Sequence, residues 1–466
     1  MHRIAAPLIT LALCALNGCA YYGPYRIDPA ACEGTPADCP TAVLYHHKLP
    51  DQPRADYTVG FVEFNDQGDA WSVAKDPGAA RQMDLVVDYL NQQAATQDLL
   101  LVAFVHGWHH TAKGQVPGAA HADANVETFQ QVLQGLAQEE AQRAIDARPQ
   151  RPPRPVVGVY VGWRGDSITL PYLDNLTFWD RKNTAAQVGH GGVTQLLSEI
   201  ELVKRTQDSK ARMAAGVANS ASPCEPGAGA DAKPITSDTR LVVVGHSFGG
   251  LVVQSAVGQI LEDRAVRTKG GDFGCQLGVE GFGNLVVLIN PAFEAQRYAV
   301  LHDMATRRRF YPPDQLPVEM ILTSQADQAT KRLFPLGRHV STVFDRDGWN
   351  PRNVTAVGHY RPYITHTLSR EAAAAPTQAT LKQVWIDKSR ADTDICVAGL
   401  TLRRLQLSAR NPYLNVSVSG DLIKDHNDID EPDIINFIKK MIMLSAQTEA
   451  DRRNPTRQAD LECAAR

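Results

Sequence analysis

The pentapeptide Gly245-His246-Ser247-Phe248-Gly249 constrains this chain more than any other feature, because of what flanks it. Before it runs Leu241-Val242-Val243-Val244, an apolar β-branched stretch that reads as a buried strand. After it runs Gly250-Leu251-Val252-Val253-Gln254-Ser255-Ala256-Val257, which reads as a buried helix. A serine on so tight a turn takes a strained backbone conformation that lifts its hydroxyl clear of the sheet. Gly245 and Gly249 let neighbouring backbone approach where a Cβ would clash. Strand, turn and helix around G-x-S-x-G are the setting of a nucleophile elbow, not of an ordinary glycine turn.

In this the segment resembles the α/β-hydrolase superfamily. The resemblance implies an α/β fold, with a central, mostly parallel sheet and helices on both faces. It also implies an order of parts: an oxyanion loop upstream, an acid after a later strand and a histidine before the last helix. Leu99-Leu100-Leu101-Val102-Ala103-Phe104-Val105 is a buried-strand run, and His106-Gly107-Trp108-His109-His110 follows it. By resemblance, the backbone N–H groups of Trp108 and Phe248 would face a developing oxyanion, where fixed donors need not reorganise. A metal site built on His106, His109 and His110 is the competing reading. Their spacing, on a loop without nearby ligating carboxylates or cysteines, fits no standard site, so no metal is expected.

The histidine falls at His426. Tyr413 to Ser419 reads as a strand, Asp425-His426-Asn427-Asp428 as a polar loop, and Glu431-Pro432-Asp433 as the start of the last helix. His359 and His366 compete for the role, without that strand-loop-helix context. The acid falls at Asp327, after the strand-like Val318-Glu319-Met320-Ile321-Leu322-Thr323. Asp345 and Asp347 are the other candidates in the long stretch that separates Asp327 from His426, and Asp327 could equally be a helix cap.

Met1-His2-Arg3 and the apolar Ala5 to Leu16 form a short segment unable to span a bilayer as a helix. Leu16-Asn17-Gly18-Cys19 resembles a bacterial lipoprotein cleavage box, departing from it at Asn17. That resemblance implies a signal peptide over 1–18, a lipid on Cys19 and membrane attachment through it. Ala20 in place of an aspartate points to the outer membrane, facing the periplasm. Without Cys14 and Cys19, six of the eight cysteines are left, an even number suited to an oxidising compartment. Cys32 and Cys39, flanking a short Gly/Pro/Asp loop, are the expected disulfide. A net charge of −4 gives no basic footprint for nucleic acid. With neither a G-x-G-x-x-G nor a Walker motif, no nucleotide cofactor is expected.

Residues 19–54 read as a tether, and 55–450 as the hydrolase-type domain, opening on a hairpin at Tyr57–Phe64 with its turn at Asp66–Asp69. Ile168 to Asn183 reads as an aromatic loop, about 208–236 as a disordered insertion, 338–410, without clean sheet pattern, as a cap or else a disordered excursion, and 451–466 as a tail. The resemblance implies a serine hydrolase: Ser247 attacks an acyl carbon, His426 carries its proton, and Asp327 orients the imidazole. A carboxylic ester or lipid would be the substrate. An amidase or thioesterase would share every one of these residues, and a hydrolase-fold binding module is the alternative of a different class.

Overall fold

Runs of aliphatic and β-branched residues build one twelve-stranded sheet. The computed structural model describes residues 23–48, 56–115, 121–147, 149–165, 174–216, 236–267, 278–308, 311–312, 315–342, 346–347, 349–370, 394–405, 411–448 and 451. The strands are β1 (Cys32–Gly34), β2 (Leu44–His47), β3 (Tyr57–Phe64), β4 (Leu100–Val105), β5 (Val156–Trp163), β6 (Arg240–His246), β7 (Leu285–Ile289), β8 (Glu319–Ser324), β9 (His366–Ser369), β10 (Ile395–Val397), β11 (Leu400–Arg404) and β12 (Tyr413–Val418). Their order across the sheet is β1-β2-β3-β5-β4-β6-β7-β8-β12-β9-β11-β10. From β3 to β9 every pairing is parallel. Antiparallel pairs occur only towards the edges, β2 on β3 and β11 on β9 and β10. The chain is α/β in character.

A parallel sheet is covered on both faces, which is why its strands read as unbroken apolar runs. Alternation along β4 and β6 splits them between two cores. Leu101, Ala103, Leu241 and Val243 face one, and Leu100, Val102, Val242 and Val244 face the other. The helices are α1 (Gln82–Thr96), α2 (Ala124–Asp146), α3 (Asp174–Val188), α4 (Thr194–Ala214), α5 (Phe248–Arg267), α6 (Ala299–Arg307), α7 (Phe334–Ser341), α8 (Pro351–Val354) and α9 (Pro432–Ser445). The first core takes Val86 and Leu90 of α1, Leu196 and Ile200 of α4, and Leu251 and Val253 of α5. The second takes Phe129 and Leu133 of α2 and Phe437 and Met441 of α9.

Four expectations need correction. Residues 23–48 do not form a loose tether. Leu44–His47 pairs with β3, and Arg26 is buried, its guanidinium 3.6 Å from the Phe61 ring centroid and its amide donating to Glu63 Oε1 at 2.8 Å. Gln82 Nε2 donates to the Arg26 carbonyl at 2.6 Å, and Cys32 and Cys39 are disulfide-bonded within this segment. The antiparallel partner of β3 precedes it, so the turn at 66–69 leads to an isolated bridge from Phe64 to Ala70 and not to a hairpin. The stretch read as an aromatic loop is helical from Asp174 on. The segment 338–410 supplies α8 and the strands β9, β10 and β11, which extend the sheet beyond β12; 343–345, 348, 371–393 and 406–410 of it lie outside the described residues. Cys19, the segment 1–18 and most of the 208–236 insertion lie outside them as well. Among the described residues no helix is long and apolar enough to cross a membrane.

Candidate active site

At the end of β6 the chain turns through Ser247, whose φ is +56°, and starts α5 at Phe248. A left-handed conformation at a non-glycine residue costs on the order of 1–3 kcal/mol and persists only where its surroundings fix it. Here three backbone bonds do so. The Ser247 N–H donates to the Ile289 carbonyl at 2.9 Å, and its carbonyl accepts from Gly250 at 3.0 Å and Ala292 at 3.1 Å. A Cβ on Gly249 would stand 2.1 Å from the Val105 carbonyl oxygen, so only glycine lets α5 start this close to β4.

Two loops converge on the hydroxyl. His426 lies between β12 and α9, with its Nε2 at 2.6 Å from Ser247 Oγ and its Nδ1 at 2.9 Å from Asp327 Oδ2. Asp327 follows β8 and is fully buried. Burial alone would push its carboxyl up. Donors from the His426 ring and from Thr330 outweigh that and hold it below the usual carboxylate range. An ionised carboxylate only accepts, so the His426 proton sits on Nδ1 and the Nε2 lone pair is left for the serine O–H. Thr330 donates to Asp327 twice, from its backbone N–H to Oδ1 at 3.1 Å and from its hydroxyl to Oδ2. Asp327 is therefore a helix cap and the partner of His426 at once.

The backbone of His426 is gripped as well. Its carbonyl accepts from His246 Nε2 at 2.9 Å and from Asn290 Nδ2 at 3.0 Å, and Asn290 Oδ1 accepts from the Ser324 N–H at 2.9 Å. Burial drives the His246 imidazole down to about 3, so at neutral pH the ring carries one proton, placed on Nε2 for that bond. The residue beside Ser247 thus holds the loop that carries His426. Asp425 Oδ1 folds the same loop by accepting from the amides of Asn427 and Asp428 at 2.8 and 3.1 Å.

The His106-Gly107 loop packs directly on the elbow. A Cβ on Gly107 would meet Ser247 Cβ and His246 Nδ1 at 2.9 Å each. Trp163 N–H donates to His106 Nε2 at 3.0 Å, which puts the ring proton on Nδ1, 2.8 Å from the Gly107 carbonyl. Burial lowers this imidazole to about 4. His110 turns instead to Asp123 Oδ1 at 3.0 Å, and His109 stacks on Trp108 with ring centroids 4.0 Å apart. The three histidines go to three separate tasks. Among the described residues no group of three His, Cys, Asp or Glu side chains is placed to hold a metal ion. The Trp108 and Phe248 rings lie 6.3 Å apart beside the elbow.

Of the competing residues, His366 is in β9 with its Nδ1 on the Thr365 hydroxyl at 2.8 Å, and Asp347 is exposed. Asp345 lies outside the described residues. His359 reaches Thr330 Oγ1 at 3.0 Å, one residue removed from Asp327. Sequence reasoning passed over His246, Asn290 and Thr330. The only available signal was that His246 ends β6 and Asn290 directly follows β7. No family model matches the chain, and no curated protein or solved structure matches it significantly.

Proposed function

We propose that this chain is a serine hydrolase of the α/β-hydrolase type that cleaves carboxylic ester or lipid acyl bonds. The observation that carries the reading is the unbroken line from Ser247 Oγ to His426 Nε2 at 2.6 Å and from His426 Nδ1 to Asp327 Oδ2 at 2.9 Å. In this mechanism Ser247 Oγ attacks the acyl carbon as His426 Nε2 takes its proton. The oxyanion forms against the amides of Trp108 and Phe248, and the imidazolium, held by Asp327, protonates the departing alkoxide. Water then attacks the acyl-serine, with His426 again as base, and frees the acid. The strained φ of Ser247 supports the same reading, since such strain concentrates at functional sites. Esters and lipids are favoured because anchoring through Cys19, part of this proposal, would put them within reach.

A fluorophosphonate probe applied to the detergent-extracted full chain tests it. Ser247 is expected to be labelled, Ser247→Ala to abolish labelling while thermal stability holds, and a panel of esters to give the preferred acyl length. A wild-type chain that stays unlabelled and turns over no ester would sink the proposal. Recovery of the protein wholly in the aqueous phase would remove the anchor and leave the chemistry standing.

A further inference from the structure

The hydrogen-bond line does not stop at the acid. Thr330 Oγ1, on a nearly fully buried side chain, donates its one proton to Asp327 Oδ2 and lies 3.0 Å from His359 Nε2. A hydroxyl has one proton and two lone pairs, so once the proton points at Asp327 the oxygen must accept from His359. That assigns the His359 proton to Nε2. The opposite tautomer would present a lone pair there and draw the threonine proton away from the carboxylate.

Placement of His359 is built, although its stretch of sequence shows no regular pattern. The turn Val357–His359 is fixed by the Val357 N–H on the Phe293 carbonyl at 3.0 Å and by Asn415 Nδ2 on the Val357 carbonyl at 3.1 Å. Gly358 presses onto β8 so closely that a Cβ would fall 1.8 Å from Thr323 Oγ1. Only a glycine lets the turn sit there and bring His359 over Thr330. Burial lowers the imidazole to about 4, against the opposing pull of Asp327 and with Lys331 and His426 also facing it. Around neutral pH the ring is therefore an uncharged donor, and protonation would still leave Nε2–H in place.

We propose that Thr330 and His359 are positioning residues for the acid: His359 fixes the rotor of the Thr330 hydroxyl, and that hydroxyl fixes the Asp327 oxygen on which the His426 ring is aligned. The inference rests on the reading of Ser247, His426 and Asp327 as a catalytic triad. Neither residue touches the reacting atoms. Their influence on the reaction runs through one carboxylate oxygen that accepts from Thr330 and His426 together.

Two readouts test it, one of which does not need catalysis. The first is the rate of fluorophosphonate labelling of the full chain. Thr330→Val, which removes a hydrogen bond to a charged group, is expected to slow it on the order of tenfold, and His359→Ala by a measurable factor no larger than that. Thr330→Ser and His359→Gln, which keep the hydroxyl and an Nε2 donor, should restore most of the rate. The Thr330→Val/His359→Ala double variant should be no slower than Thr330→Val, because His359 acts through the hydroxyl. The second readout is the low-field proton resonance of His426 Nδ1–H, expected to move upfield or exchange away in Thr330→Val and His359→Ala and to return in the conservative variants. Slower labelling with an unmoved resonance would mean a merely structural role and would overturn the proposal. So would additive losses in the double variant, or wild-type rates in both single variants. If the wild type is never labelled but the resonance responds as described, the hydrolase reading fails and the positioning line stands.

Discussion

Two carboxyl groups at opposite ends of one strand meet opposite fates. Asp327 stands just beyond the last residue of β8, at the end of the sheet that carries Ser247; Glu319 is the first residue of β8, at the other end. Both are fully buried. Asp327 accepts from Thr330 twice and from His426 once, and its carboxyl is held below the usual range. Among the described residues neither Glu319 oxygen has a partner in hydrogen-bond geometry, and burial pushes its carboxyl up to about 8, against the lowering influence of the nearby Tyr298 hydroxyl. Burial acts on the two alike, in the direction of the neutral acid. Donors decide the outcome, and they are concentrated at the end of the sheet that carries Ser247.

The largest effect is expected from removing the charge at the donor-rich end. Asp327→Asn keeps an oxygen for the Thr330 amide, so the cap survives, but its NH2 turns the His426 proton onto Nε2. The ring could then no longer accept from Ser247. Labelling is expected to fall by roughly 10³–10⁴-fold with a small change in stability. Asp327 is lowered, so its contribution to stability is present above the ordinary carboxylate value of 3.8 and is lost as pH falls through its folded value. Asp327→Asn should therefore lose stability relative to wild type at neutral pH and regain parity in acid. A variant that labels at the wild-type rate would erase the functional half of the contrast.

The donor-poor end is expected to behave inversely. A raised acid contributes stability that is present below its unfolded value of 4.5 and is lost as pH climbs through about 8. Glu319→Gln does not titrate. Relative to wild type it should gain about 1.4 kcal/mol per pH unit between pH 5 and 8 and level off above. Denaturant unfolding at a series of pH values measures this. A flat difference would mean that Glu319 is charged and paired, and that the two ends are alike after all.

How much of this was legible depended on whether the cause was local. The strands β4, β6, β7 and β8 declare themselves because both-face burial makes them continuous apolar runs, and Ser247, Asp327 and His426 follow as residues of the turn or loop after β6, β8 and β12. The strand β9, His366-Thr367-Leu368-Ser369, lies between β12 and β11 yet buries only Leu368 and carries no such signature. The N-terminal segment is docked by Arg26 on Glu63, 37 residues away. His246 gains its role from a carbonyl 180 residues on, and His359 from a hydroxyl 29 residues back. Pairings of that kind leave no periodicity, so Ser247, His426 and Asp327 could be read from the sequence while the residues that hold them could not. Glu319 was equally silent: within Val318–Thr323 it looks like a strand residue on a solvated face.

The smallest expected effect lies between the two acids. Thr323 shares the Glu319 face of β8, is almost fully buried, and among the described residues its hydroxyl has no hydrogen-bond partner. It is also the atom on which Gly358, and so the turn carrying His359, comes to rest. A buried hydroxyl without a partner keeps its desolvation penalty and gains nothing in return, so replacing it with a methyl group of similar shape relieves the penalty. Against this stands the slightly larger methyl under Gly358. Thr323→Val is accordingly expected to change stability by no more than about 1 kcal/mol, towards greater stability, and to leave the labelling rate unaltered. Thr323→Ser keeps the hydroxyl but opens a methyl-sized gap, and should lose about 1 kcal/mol. Should the valine variant instead lose more than the serine variant and label more slowly, the hydroxyl would be a support for the turn that carries His359. The polar support of the site would then reach one turn further along β8 towards Glu319.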